Sequence, residues 1–508
     1  MILVWIILIP LLAGLAALLF QRNDSHPRKI ALAALSLDLI LALFLLTRES
    51  VFSTGAGKWY SVFKAAWLPG FGVYFHLAAD GLSLLMILLT SLLGIMGVLS
   101  AWTEIKDRVG FFHFNLLWCL AGIMAVFLAM DLFLFYFFWE LMLVPMFFLI
   151  AIWGHENRRH AAIKFFIFTQ LSGLLMLISI LGTYFEHAFR TGIYTFEYFE
   201  LTGTIAGGTA GAFLFSGFLI AFFVKLPAIP FHTWLADAHT EAPTAGSIIL
   251  AGLLLKTGAY GLIRFAVPIF PNVSIYFSEI AMILAVVGII YGAILSFAQT
   301  DLKRLVAYSS ISHMGFVLLG IFAWNEIALQ GAVLQMICHG ISTGALFLIV
   351  GSLQERLQTR DLTRMGGLWS TAPRMGGAML LFALASLGLP GLGNFVGEFL
   401  VLLGAYRVST PLTLAAVLGL IFSTIYAVRM IRCTFFGENR YDWKIPDFNT
   451  RELTAVAVLI AIILWIGIYP QPFIKTARQG INNLTITRPF ATPSLPSSIP
   501  VEASHARF

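Results

Sequence analysis

Residues 218–235 read FLIAFFVKLPAIPFHTWL. Lys225 is the only formal charge between Leu201 and Ala236, in a run otherwise apolar enough to cross a membrane. A charge at bilayer depth costs about 2.5–3.5 kcal/mol on insertion scales and usually marks an ion or proton path. Pro227 and Pro230 follow at once. They remove backbone donors, so the helix is expected to open beside the lysine. Snorkelling is the competing account, since the proline break supplies something like a helix end.

Three more segments repeat the pattern. Glu140 stands alone from Leu132 to Gly154, Lys256 from Ala242 to Ile263, and Glu398 from Met375 to Tyr406. The 508 residues are 59% hydrophobic and 11% charged, against about 25% charged in soluble domains. Mean hydropathy is +0.90. The expected class is an all-α polytopic membrane protein. Its apolar runs are continuous rather than alternating, which excludes a β-barrel. The net charge of +6 follows from loop Lys and Arg, with no basic stripe interleaved with aromatics. The lipid membrane is therefore an expected partner and nucleic acid is not. Cys119, Cys338 and Cys433 show no C-x-x-C spacing, so disulfide, zinc and iron–sulfur frameworks have no support. The apolar start, MILVWIILIPLLAGLAALLF, lacks the basic segment of a cleavable signal and reads as the first span.

Runs of about 20 residues are long enough to cross. They place about fourteen spans, near 2–20, 29–46, 82–101, 113–130, 132–153, 161–184, 211–231, 244–266, 275–298, 304–323, 327–351, 376–405, 411–431 and 452–470. Loops after odd-numbered spans hold nineteen Lys and Arg, and those after even-numbered spans hold six, Arg264 among them. Odd loops are thus expected in the cytoplasm, and both termini on the periplasmic side of a bacterial inner membrane.

KLPAIPFHTWL in the seventh span is echoed by GLPGLGNFVGEF in the twelfth. Five spans separate them, so they cross in opposite directions. Paired broken helices point to two inverted five-helix repeats with a site at the midplane. The expected division is helices 1–3 over 1–112, repeats over 113–270 (helices 4–8) and 271–436 (helices 9–13), and helix 14 with a Pro/Ser-rich tail over 437–508. The tail after Ile474 is expected to be disordered or to lie along the outer surface.

Glu140 lies in FYFFWELMLVPMFF. It is a candidate to alternate between neutral and ionised as a cation approaches and leaves; a permanent pair with a lysine is the plainer account. At about 4 Å and an effective dielectric near 20, such a pair gains about 4 kcal/mol. Moving Glu140 toward or away from Lys225 would therefore load or eject a proton. Lys256 is mid-helix, without a snorkelling excuse. His313 (YSSISHMGF) and His339 (MICHGISTG) are candidate relays from Lys256 to Glu398, since imidazole titrates near neutrality. Structural histidines and axial haem ligands are the alternatives, the latter without a C-x-x-C-H or a second such pair. Glu398, just past Pro390-Gly391, is the candidate exit carrier.

Asp80 and Asp131 begin helices, where the dipole favours acids. Capping suffices for Asp80, whereas Asp131 is a candidate for an entrance path. Glu104 and Asp107 flank a turn and read as solvated, with Glu104 placed to feed the entrance. His232, Asp237, His239 and Glu241 crowd FHTWLADAHTEAPTAGS. A polar cap over the break is preferred there to a metal site, and no metal is expected. Gly55-Ala56-Gly57-Lys58 has the wrong spacing for a phosphate loop.

FFVKLPAIPFHTWLADAHTEAPTAGS, LLLKTGAYGLIR and QTDLKRLVAYSSISHMGF resemble the antiporter-like subunits of respiratory complex I and of multisubunit cation/proton antiporters. The resemblance covers all but the tail. Glutamate at position 398, where other branches carry lysine, resembles the M-type (chain 4) branch of NADH:quinone oxidoreductase; an antiporter or membrane-bound hydrogenase subunit is the alternative. The resemblance implies a proton-translocating subunit. It assigns Glu140 and Lys225 to an entrance-side pair, Lys256 to the centre, His313 and His339 to polar steps outward and Glu398 to the terminal carrier. Glu104 and Asp131 match acids near the entrance and the fifth span. The same resemblance puts FMN, iron–sulfur clusters and quinone on other subunits and no cofactor here. It implies L- and N-type neighbours and contact with the lateral helix of L.

Overall fold

The computed structural model describes residues 1–20, 24–48, 52–54, 57–205 and 207–482. Arg22, Gly55, Ala56 and the Pro/Ser-rich tail from residue 483 lie outside the described residues. Among the described residues, thirteen helices are long and apolar enough to cross a membrane. The twelfth crossing is made by two half-helices, Pro373–Ser386 and Gly393–Tyr406. The fourteen expected spans are therefore all present among the described residues. Helices satisfy every backbone group internally, which is what lets a chain this apolar cross lipid.

Burial sorts the spans. The eighth (Thr244–Ile269) and eleventh (Glu326–Leu357) are wholly enclosed in their most apolar windows, and the tenth (Leu302–Phe322) nearly so. The first (Ile2–Leu19), second (Ser25–Thr47) and fourteenth (Thr450–Ile468) are only one-third buried. Spans eight, ten and eleven thus make a central column, and the candidate polar residues Lys256, His313 and His339 sit on it.

The breaks fall at the prolines. The seventh span stops at Lys225 and resumes as Thr233–Glu241. Trp234 Nε1 donates to Val224 O across the gap at 2.9 Å, satisfying a carbonyl that the break leaves free. In the twelfth, Gly388 (φ +77°) and Gly391 (φ +94°) take the left-handed conformation that glycine adopts without steric cost. The eighth span holds two π-helical segments, Leu250–Leu254 and Leu262–Ala266, on either side of Leu255–Gly261. Nothing in the apolar periodicity signals them.

The chain is not purely helical. Two hairpins pair β1 (Phe52–Thr54) with β2 (Gly57–Trp59) and β3 (Ser61–Leu68) with β4 (Val73–Ala79), both antiparallel. They occupy the stretch between spans two and three, where no strand was expected. Of the two courses expected for the tail, disorder or a path along the outer surface, its start does not take the first. Gln471–Asn482 is a helix packed on the start of the third span (Gly81–Glu104), and Tyr60 donates from its hydroxyl to Gln479. Disorder after Ile474 is therefore not found as far as residue 482.

Two loop assignments also fail. Lys303 and Arg264 are fully buried within spans ten and eight. Lys303 gives a hydrogen bond to Ala242 O. Arg264 pairs with Asp80, both without exposure. Burial of the pair is tolerable because Asp80 also accepts from Ser83 N at 3.0 Å, and Arg264 Nε donates to Tyr260 at 3.2 Å. Capping by Asp80 was expected; its ion pair was not.

Candidate proton site

The centre is built on the eighth span. Lys256 donates to Ala251 O, five residues back, within the register of the π segment. Its ammonium also shares a 2.6 Å hydrogen bond with His339 Nδ1 on the eleventh span. The His339 and His313 ring centroids are 5.5 Å apart. His313 Nδ1 lies 2.9 Å from Glu398 Oε1. All four side chains are buried, Lys256 and His339 completely. A file Lys256–His339–His313–Glu398 thus crosses from the eighth span to the broken twelfth.

Three further residues complete its far end. Gln335 donates to Glu398 Oε1 at 2.8 Å. Ser386 and Tyr426 reach His313 Nε2 at 2.9 and 3.0 Å. The sequence reading missed them. Gln335, four residues before His339 in an apolar run, offered a faint signal as a second solitary polar group on one helical face. Ser386 and Tyr426 offered none, because a serine and a tyrosine are unremarkable in a span. Gly388 is needed here: a Cβ on it would sit 3.1 Å from Glu398 Oε2.

Glu140 and Lys225 stand apart. Among the described residues, Lys225 Nζ has no hydrogen-bond partner, nor has Glu140 Oε1. The Lys225 ammonium lies 4.9 Å from the Trp139 ring centroid and 5.9 Å from that of Phe165. Such faces attract a cation without binding its protons. Tyr136 and Gln170 approach the Glu140 carboxylate. Gly173 makes room for it: a Cβ there would meet Oε1 at 2.3 Å. Gly258, on the turn after Lys256, would carry a Cβ 3.1 Å from that of Lys225. The seventh and eighth spans therefore bring the two lysine-bearing backbones into direct contact.

Glu104 and Asp131 do not share an end of the molecule. Glu104 closes the third span, and the whole fourth span (Val109–Val126) lies between it and Asp131. Glu104 is half-buried, accepts from Thr244 N at 3.1 Å, and lines a cavity of about 320 Å³ with Lys106, His155 and Glu355. It is therefore less solvated than expected, whereas Asp107 is exposed. Asp131 caps the fifth span (Leu132–Trp153) through Phe133 N and Leu134 N and accepts from Tyr74 N of β4. Burial, helped by the charge of Glu197, pushes its carboxyl up to about 6 despite those donors. The two acids therefore lie at opposite ends of the fourth span.

The block after the first break divides. Asp237 pairs with Lys164 at 2.6 Å and Arg304 at 3.3 Å, and Glu241 accepts from Asn157 N at 2.9 Å. His239 points inward, stacked on Phe347 with centroids 5.0 Å apart and without exposure. His232 packs edge-on against Tyr291. The four do not converge.

Residues 129–424 match the family model described as NADH:quinone oxidoreductase/Mrp antiporter, transmembrane. The NADH-quinone oxidoreductase subunit M of Pseudomonas aeruginosa is 52% identical over 495 residues, covering 95% of this chain and 97% of that protein. The subunit M of Escherichia coli strain K12 is 48% identical, covering 96% and 100%. A chain of respiratory complex I from Thermus thermophilus with bound NADH superposes with a TM-score of 0.85 at 32% identity, covering 95% and 99%.

Proposed function

We propose a proton path for this chain, which belongs to the subunit M family of NADH-quinone oxidoreductase and is an antiporter-like membrane subunit of that enzyme complex. The observation that carries the path is the buried file from Lys256 through His339 and His313 to Glu398, hydrogen-bonded at both ends and joined in the middle by facing imidazole rings. Each member holds a titratable proton, and each touches or faces the next. Lysine gives its proton to the His339 imidazole, and rotation of that ring presents it toward His313. His313 passes it to Glu398 at the break of the twelfth span. Gln335, Ser386 and Tyr426 hold the receiving groups in place.

Glu140 and Lys225 form the loading pair in this reading, seen here separated. Closing an ionised Glu140 onto Lys225 to about 4 Å would be worth about 4 kcal/mol at an effective dielectric near 20. That is enough to draw a proton onto the lysine, and reopening the pair would send it toward Lys256. Glu104, on its cavity, is the intake acid.

The drive comes from elsewhere in the complex. We assign FMN, iron–sulfur clusters and quinone to other subunits and no cofactor to this chain. L- and N-type antiporter-like subunits would flank it, with the lateral helix of L along its side. The Lys and Arg asymmetry supports a bacterial inner membrane with both termini periplasmic. The paired breaks support inverted repeats over 113–270 and 271–436.

NADH-driven proton pumping in membranes carrying Glu140→Gln or Lys225→Ala tests the path, with assembly of the complex checked in parallel. Lost pumping in an assembled complex is expected. Normal pumping would remove the pair from the path.

A further inference from the structure

A groove of about 960 Å³ lies where the ninth span (Pro271–Ala298) and the thirteenth (Thr410–Thr434) end together. Phe297, Ile425 and Val428 form its apolar wall, and Arg429, Arg432 and Arg440 its rim. Glu438 is the one acid in the lining, so the groove carries a net charge of +2. Lys444 pairs with Asp442, and Arg356 with Glu452. None of the three groove arginines joins an ion pair among the described residues. Arg429 stacks over Phe297, 5.1 Å from its centroid.

The positive-inside rule explains arginines at this end. It does not explain a concavity beneath them. Val428 and Ile425 are 56% and 42% exposed, and Phe297 and Ile294 on the facing helix 45% and 43%. The wall therefore continues down the lipid-facing sides of both helices. The groove opens sideways to hydrocarbon and upward to cations. A soluble anion would match only the rim, and an acyl chain only the wall.

We propose that this groove binds an anionic phospholipid, with its phosphate between Arg429 and Arg432 and an acyl chain along Ile425, Val428 and Ile294. Basic pockets between transmembrane helices recognise such headgroups. The site is remote from the Glu–Lys–His file and independent of the path proposed for it.

The test uses the purified complex in vesicles of phosphatidylcholine doped with photoactivatable phosphatidylglycerol. Label is expected on the ends of the ninth and thirteenth spans. Unlabelled phosphatidylglycerol should compete, and phosphatidylcholine and inorganic phosphate should not. Arg429→Ala with Arg432→Ala should weaken labelling there by roughly 30-fold, and the paired lysine substitutions should retain most of it. Equal labelling by a photoactivatable phosphatidylcholine would overturn the proposal. So would displacement by phosphate alone, which would make this a free-anion site. A neighbouring subunit cross-linked at Arg432 in place of lipid would make it a protein interface. If the double alanine variant does not assemble, competition on the unsubstituted complex decides.

Discussion

His313 Nδ1 and Glu398 Oε1 lie 2.9 Å apart, joining the tenth span to the second half of the broken twelfth. Gly388, at the break, lies against the same carboxylate: a Cβ on it would sit 3.1 Å from Oε2. Glu398→Gln preserves the size and the contact to His313 but cannot carry a proton. It is expected to slow pumping by roughly 100-fold or more in an assembled complex. Tyr426→Phe removes one of two hydroxyls at His313 Nε2 and should slow it only a few-fold, in line with about 1 kcal/mol for one hydrogen bond. Proton-release rates in vesicles check both, and equal effects would contradict the ranking.

Gly173→Ala separates activity from stability. A helical Gly→Ala exchange gains up to about 1 kcal/mol in propensity. The new methyl would come within 2.3 Å of Glu140 Oε1 and displace it. Thermal stability is expected unchanged or raised while pumping falls several-fold. Unaffected pumping would show that the carboxylate position does not matter.

The Asp80–Arg264 pair is fully enclosed. Removing either partner leaves an uncompensated charge, at a cost of roughly 3–5 kcal/mol. Arg264→Met alone should sharply reduce assembled complex, and Arg264→Met with Asp80→Leu should restore most of it. Quantifying the complex in solubilised membranes checks this. Failure of the double variant to recover would assign the pair more than charge balance.

Asp131 supplies a pH signature. Its carboxyl is raised to about 6 by burial, from about 3.9 in an unfolded chain. The unfolded state therefore ionises first as pH rises. Stability from this group is complete below about pH 4 and lost as pH climbs through about 6. Asp131→Asn keeps a capping oxygen and should flatten that part of the melting-temperature profile. An unchanged slope would place the titration on another group.

Much of this was legible because membranes punish polarity. Glu140, Lys225, Lys256 and Glu398 stood out as lone charges in apolar runs, and Pro227 and Pro390 located both breaks. The same logic misled at span ends, where Arg264 and Lys303 read as loop cations although each lies inside. A hydropathy window cannot tell a buried, paired charge near a boundary from a solvated one. Sidedness was also lost for Asp131, because its likeness to Glu104 is chemical and their separation by one span is topological. The hairpins went unread, since neither β3 nor β4 alternates buried with exposed positions along its length. Ser386 and Tyr426 became visible only when folding set them against His313.

The two π segments of the eighth span have a further consequence. Each accommodates about one residue more than an α-helical turn needs. Every such residue offsets the helical phase by about 100°. The span therefore carries three separate angular frames, before, between and after the segments, and Lys256 belongs to the middle one alone. Which way Lys256 faces cannot be extrapolated from Ser247 or Arg264 by counting. Deleting one residue from Leu250–Leu254 would leave the composition of the span nearly intact and swing the lysine away from His339, so the azimuth of this one side chain is encoded in chain length.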